Sequence, residues 1–420
     1  MNRRTPTRQT LRGGAVIAVA MGVMNVTTYA FTILAARLLG PAEYGALAAL
    51  MGLLLVVNVL SLGLQATGAR RVSAAPENLP AIEREVMSTS YAAAVALGAL
   101  ALLASPVITD TLNLDPLAAA LLAVTAMPLS IMGAQAGILQ GERRWGSLAS
   151  IYLAVGVGRL GFGAVALFVE PNTPGAMIGV ASGAFLPVVI GWLALRRPDR
   201  RRTAAPRTAR RARRWAPGGV LRETMHNSHA LLAFFALSNA DVIIARSTLD
   251  AHLAGLYAAG LILSKAVLFL PQFVVVVAFP AMARGGGDRR RHLFSLAVVL
   301  AIGAATVLGT AVLSGLAVTF IGGSQYAELQ GRLWAFAALG TLLAMIQLLI
   351  YNIVARQRQR TVLVIWAALV ALLVVTRFVD TLPSLLTCVV IVDGLLFLVL
   401  LARSLAPSYH RAAPSRTSAQ

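Results

Sequence analysis

The stretch Arg196-Arg197-Pro198-Asp199-Arg200-Arg201-Arg202-Thr203-Ala204-Ala205-Pro206-Arg207-Thr208-Ala209-Arg210-Arg211-Ala212-Arg213-Arg214-Trp215 interrupts a chain that is otherwise mostly apolar. Long apolar segments flank it on both sides. Reading outward, smaller arginine clusters recur in every second gap between those segments. Loops left on the cytoplasmic side of a membrane carry excess Arg and Lys, because positive loops resist translocation. The pattern predicts an all-α polytopic membrane protein. It has about twelve transmembrane helices in two pseudo-symmetric six-helix bundles around a central cavity, which is a layout used by transporters.

Composition agrees. Of 420 residues, 58% are hydrophobic and only 12% are charged, about half the charged share of a soluble domain. Each spanning helix needs ~20 apolar residues. The spans fall at 14–36, 45–68, 88–109, 116–139, 147–169, 174–195, 226–246, 252–280, 292–320, 330–353, 361–379 and 383–402. Thirty cationic residues then lie on one side and four (Arg37, Arg246, Arg332 and Arg377) on the other. Both termini are expected in the cytoplasm. The N-terminal bundle is 1–195, the basic cytoplasmic linker 196–224, the C-terminal bundle 225–405 and the cytoplasmic tail 406–420.

The net charge of +20 is topological rather than a nucleic-acid footprint. The linker holds one aromatic, Trp215, and no nucleic-acid-binding fold is recognisable in it. Cys388 is the single cysteine, which excludes an intrachain disulfide and a cysteine metal cluster. The histidines, His226 and His229 among them, form no zinc signature. A phosphate-cradling Gly-Lys-Ser/Thr loop is absent, since the one lysine, Lys265, follows Ser264. The expected outer loops are short helix connections, which counts against an enzyme and implies no cofactor. Gly285-Gly286-Gly287 reads as a turn.

Polar groups inside spans are the candidate machinery, because a charge at mid-bilayer costs about 2.5–3.5 kcal/mol on insertion scales. Arg159 lies mid-span among Gly156, Gly158, Gly161 and Gly163. Lys265, Asp241 and Asp393 are also within spans. Asp241 follows Ser238 and Asn239, a dense polar run, and is the candidate for titration or ion coupling. Arg37 and Arg246 end the first helix of each half. Snorkelling explains either one alone; their matched placement puts both among the cavity candidates with Arg159 and Lys265. Asn25, Asn58, Gln65, Gln135, Gln272, Gln347 and Asn352 suit interhelical hydrogen bonds. Pro128, Pro187, Pro271 and Pro280 fall in or at the ends of spans.

The stretch Ile33-Leu34-Ala35-Ala36-Arg37-Leu38-Leu39-Gly40-Pro41-Ala42-Glu43-Tyr44-Gly45 resembles the end of helix 1 in polysaccharide and O-antigen flippases of the multidrug/oligosaccharidyl-lipid/polysaccharide exporter superfamily. Asn239 through Ala245 with Ala254-Gly255-Leu256-Tyr257-Ala258-Ala259 resembles the start of that family's second half. Leu270-Pro271-Gln272 through Phe279-Pro280-Ala281-Met282-Ala283-Arg284 resembles the end of its helix 8. The resemblance implies an alternating-access flippase in the bacterial cytoplasmic membrane, moving a polyprenyl-diphosphate-linked oligosaccharide to the outer leaflet. Membrane lipid and the lipid-linked glycan are the implied partners, with glycan polymerase and glycosyltransferases beside them and no nucleic acid. An ion-coupled multidrug antiporter and a peptidoglycan-precursor lipid flippase stand as alternatives within the superfamily. A membrane-embedded glycan polymerase stands outside it.

Overall fold

The computed structural model describes residues 8–196, 219–268, 288–355 and 359–405. Most of the basic linker, the 269–287 stretch with its Pro271, Gln272, Pro280 and triple-glycine readings, and the tail from 406 lie outside them. Among the described residues the chain is helical without strands. In a bilayer a helix satisfies its own backbone polar groups, which no open sheet can do.

Helix α1 spans Arg8–Ala74 and is broken at Gly40, whose φ of 74° and ψ of 172° are non-helical. Gly adopts positive φ without a Cβ penalty, and Pro41 then prevents the old helix from continuing. The break makes a hairpin. Gly13 packs against Trp145 and Gly141 against Val72, so both ends of α1 meet beside one turn. The first two expected spans are thus its two arms.

Then come α2 (Leu79–Leu112), α3 (Pro116–Gly141), α4 (Trp145–Val169) and α5 (Thr173–Arg196). The second half comprises α6 (Gly219–Thr248), α7 (Ala251–Leu268), α8 (Asp288–Val312), α9 (Ser314–Ile321), α10 (Leu333–Ala355), α11 (Gln359–Val375) and α12 (Leu382–Leu405). Side chains set several boundaries by capping. Asp115 Oδ1 accepts from the Leu117 and Ala118 amides to start α3, and Asp250 Oδ1 accepts from His252 and Leu253 to start α7. Such caps stabilise a helix by about 1 kcal/mol. Among the described residues ten helices are long and apolar enough to cross a membrane, α1 being one of them, and Val362–Phe378 is a shorter apolar helix. Counting the α1 hairpin as two and adding the shorter helix gives twelve, in keeping with the expected number.

One expectation needs correcting. The span 292–320 is not one helix: it stops at Val312, turns at Leu313 and resumes as the short α9. Hydropathy runs unbroken through the turn, so the apolar pattern alone did not mark it.

One helix contact repeats between the halves. In the first, Ser61 Oγ donates to Leu129 O at 2.7 Å while Gly133 lies against Ser61. In the second, Ser264 Oγ donates to Phe336 O at 2.6 Å while Gly340 lies against Ser264. Gly98 meets Met127 in the first half, and Gly303 meets Thr341 in the second. Small residues let these helix backbones approach closely, the packing device available where lipid removes the hydrophobic drive between helices.

The second arm of α1 runs along α6 and joins the halves. Gly52 lies by Val242 and Asn239, and Gly63 by Ser228 and Thr224. Thr224 Oγ1 donates to Thr67 Oγ1 at 3.2 Å. Where α1 ends, Arg71 is 1% exposed. Its Nη1 donates to Glu85 Oε2 at 2.9 Å and its Nε to Glu223 Oε2 at 3.1 Å. Arg70 pairs with Glu223 as well. This network ties α1 and α2 of the first half to α6 of the second.

Candidate functional site

A cavity of about 300 Å³ lies where the two arms of α1 meet α3, α4, α6 and α7. Its wall is mainly apolar. Among the described residues its polar groups are Asn25, Thr28, Tyr29, Thr32, Tyr44, Asn58, Arg159 and Lys265. Among the described residues the two charged ones lining it are both cations, Arg159 from α4 of the first half and Lys265 from α7 of the second. Small residues place Arg159 there, because Gly156 packs onto Thr27 and Met24 of α1 and Gly158 onto Gly183 of α5. That close packing sets α4 against the cavity.

Tyr29 crosses the cavity edge, its Oη donating to Ile262 O at 2.9 Å. Asn58 Oδ1 is buried without a partner among the described residues. An orphaned buried acceptor in a cavity wall is a place for a donor from a ligand or water. The sequence carried a signal for this face. Asn25, Thr28, Tyr29 and Thr32 recur at three- and four-residue spacing, one helical stripe, but asparagine alone had been singled out there.

Asp241, the ion-coupling candidate, sits behind the wall. Its neighbour Val242 lines the cavity, while Asp241 itself is 3% exposed. It accepts from the Val242 amide at 2.8 Å and from Tyr257 Oη at 3.4 Å.

Arg37 and Arg246, expected at the cavity mouth, line no part of it. Each crosses to the opposite half and caps the carbonyl end of a helix there. Arg37 Nη2 donates to Thr319 O at 2.9 Å, at the end of α9. Arg246 donates through Nε to Leu112 O at 2.9 Å and through Nη2 to Asn113 O at 2.8 Å, at the end of α2. Its Nη1 reaches Ala42 O at 3.3 Å. A helix ends with carbonyls that have no intrahelical partner, and the guanidinium fork fits several at once. Their matched sequence positions therefore reflect the pseudo-symmetry: each half offers one arginine and receives the other's.

The kink adds to the same closure. Pro41 has no amide hydrogen, so Arg37 O lacks its usual helical donor. Gln325 Nε2 donates to Ala36 O and Arg37 O, both at 3.2 Å, and Tyr326 Oη donates to Ala36 O at 2.9 Å. Backbone contact completes it, since a Cβ on Gly45 would lie 2.9 Å from the Gly255 Cα. The halves are thus latched together at the Gly40 end of the bundle.

Comparison with solved structures gives the fold a precedent. A multidrug resistance transporter of the MATE family, of the MOP superfamily, matches in an inward-facing conformation with a TM-score of 0.67 and 11% identity, over 91% of this chain and 94% of that one. An outward-facing MATE family transporter matches with a TM-score of 0.62 and 14% identity, over 96% of each chain. A MOP superfamily transporter from Pyrococcus furiosus, described as having a binding pocket of reverse polarity that suggests a different function, matches with a TM-score of 0.57 and 12% identity, over 96% of this chain and 98% of that one. Identities this low establish a shared fold. No curated protein matches the sequence. The family model described as polysaccharide biosynthesis protein matches residues 10–285. This multi-pass membrane protein, with the fold of the MOP superfamily transporters, therefore belongs to the polysaccharide biosynthesis protein family.

Proposed function

We propose that the protein is a flippase for a polyprenyl-diphosphate-linked oligosaccharide, carrying the anionic head from the cytoplasmic to the outer leaflet of the bacterial cytoplasmic membrane. Both termini are placed in the cytoplasm, following the arginine distribution. Glycan polymerase would take the cargo on the outer face, and glycosyltransferases would supply it on the inner. The observation that carries the proposal is the pairing of Arg159 and Lys265 in one cavity, one cation from each half. Guanidinium binds phosphate oxygens bidentately and ammonium as a point charge. A cation from each half gives a diphosphate reason to draw the halves together as it binds. At about 300 Å³ the cavity is at the small end for ligand sites. It suits the charged junction of the cargo, while the polyprenyl chain stays in lipid. The same two cations count against a cationic drug as cargo.

The test uses purified protein in lipid nanodiscs with farnesyl diphosphate, a short polyprenyl diphosphate, as probe. A hydrogen bond to a charged group contributes about 1.5–3 kcal/mol. Arg159→Gln and Lys265→Gln each weaken probe binding by roughly 10- to 100-fold. Arg377→Ala, an exposed arginine that lines no part of the cavity, leaves it unchanged. Undiminished binding in the Arg159→Gln, Lys265→Gln double variant would remove the cationic-cavity reading.

A further inference from the structure

Three helices of the first half bring uncharged polar side chains together on the side of the cavity away from the Gly40 latch. Gln65 comes from the second arm of α1, Gln140 from α3 and Tyr152 from α4. Gln65 Nε2 donates to Gln140 Oε1 at 2.9 Å and to Tyr152 Oη at 2.8 Å. Each of the three is half-buried. Interhelical hydrogen bonds hold helices together in lipid, and this cluster does so. It does not exhaust its own capacity. An amide carries an acceptor and two donors, and a phenol donates as well as accepts. Among the described residues Gln65 Oε1 accepts from nothing, and neither Gln140 Nε2 nor the Tyr152 hydroxyl donates to anything.

The cluster is in register with the cavity wall. Gln65 follows Asn58 by seven residues, and Arg159 follows Tyr152 by seven. Seven residues are two turns, so each pair shares one helix face at a separation of ~10 Å. The two helices run in opposite directions. The second arm of α1 leads from Gly40 to its end beside the α3–α4 turn, and α4 leads back from that turn. Both pairs therefore step the same way. Asn58 and Arg159 line the cavity, as does Val155, one turn from Tyr152. Gln65 and Tyr152 continue that wall toward the α3–α4 turn. Asn58 Oδ1, the orphaned acceptor, lies on the same polar column.

We infer that Gln65, Gln140 and Tyr152 form a glycan subsite, which takes the uncharged sugar units next to the diphosphate while Arg159 and Lys265 hold the diphosphate itself. The inference rests on the reading of the cavity as a diphosphate site, and it adds the direction in which the cargo lies. A sugar hydroxyl donates and accepts at once. The spare amide and phenol groups offer both partners, and Asn58 Oδ1 offers one more acceptor at the junction. No ionised side chain belongs to the cluster, so it favours neutral sugars over acidic ones. The diphosphate is shared between the halves, whereas the glycan lies along the first half alone.

The experiment compares two probes on the full chain in nanodiscs. One is farnesyl diphosphate. The other is farnesyl diphosphate carrying two N-acetylglucosamine units. The native protein binds the sugar-bearing probe about tenfold more tightly than the bare one. Tyr152→Phe and Gln140→Leu each remove roughly three- to tenfold of that preference and leave farnesyl diphosphate binding as it was. Tyr152→Phe deletes a single oxygen and serves as the variant least disturbing to the fold. Arg159→Gln weakens both probes together. Equal native affinity for the two probes, or variants that weaken both alike, overturns the subsite and leaves the diphosphate site standing, with the cluster merely tying helices. Absence of native binding to either probe removes the diphosphate site, and the subsite with it.

Discussion

Arg71→Met lowers the thermal stability of the detergent-solubilised protein by about 3 kcal/mol, near the lower edge of the 3–5 kcal/mol seen when one partner of a buried ion pair is removed. The lower edge applies for two reasons. The Glu85 side chain retains 28% exposure, so water recovers part of its solvation, and Glu223 keeps Arg70. Glu85 Oε1 is already buried without a partner and then loses the charge beside it. Arg70→Ala is the control. With 56% of its side chain exposed, Arg70 contributes about 1 kcal/mol or less. Adding Glu85→Gln to Arg71→Met recovers part of the loss, because the uncompensated carboxylate goes with it. A thermal-unfolding series on the single and double variants checks all three values, and simple additivity would contradict the network.

Arg246→Ala combined with Arg37→Ala opens the Gly40 end of the bundle. Arg246 holds Leu112 O, Asn113 O and Ala42 O, and each hydrogen bond to a charged group stabilises by about 1.5–3 kcal/mol. Loss of even one such contribution shifts an open–closed equilibrium by roughly tenfold or more. Arg37 is exposed and holds its carbonyls in competition with water, so it adds less. A cysteine placed at Leu47, on the cavity wall, reports the change. Its labelling by an impermeant maleimide from the Gly40 side rises about tenfold in the double variant. Cys388 is replaced beforehand to leave one thiol. Unchanged labelling would mean that the arginines cap helices without latching the halves.

Much of this architecture is legible in the sequence because lipid leaves few options. A chain that is 58% hydrophobic must cross as helices, and the arginine clusters divide the apolar segments between the two sides. Arg159 and Lys265 stand out because a cation deep in an apolar span is costly, and both line the cavity. Arg37 and Arg246 read differently in sequence and in space. Their acceptors are backbone carbonyls of the opposite half, and a carbonyl carries no sequence signature. The turn at Leu313 was hidden for a related reason, since the apolar run passes through it. The Arg71–Glu85–Glu223 network joins residues 14 and 152 positions apart, a pairing that exists only once the halves are assembled.

The central claim is that the cavity carries a lipid-linked glycan across the membrane. Its most direct test is to delete the gene, extract polyprenyl-diphosphate-linked glycans, and determine which leaflet holds them. The account predicts accumulation on the cytoplasmic leaflet with loss of surface polymer, reversed by the native protein and not by the Arg159→Gln, Lys265→Gln variant. An unchanged lipid-linked pool with normal surface polymer would contradict it, and new drug sensitivity in that strain would point to a multidrug antiporter instead.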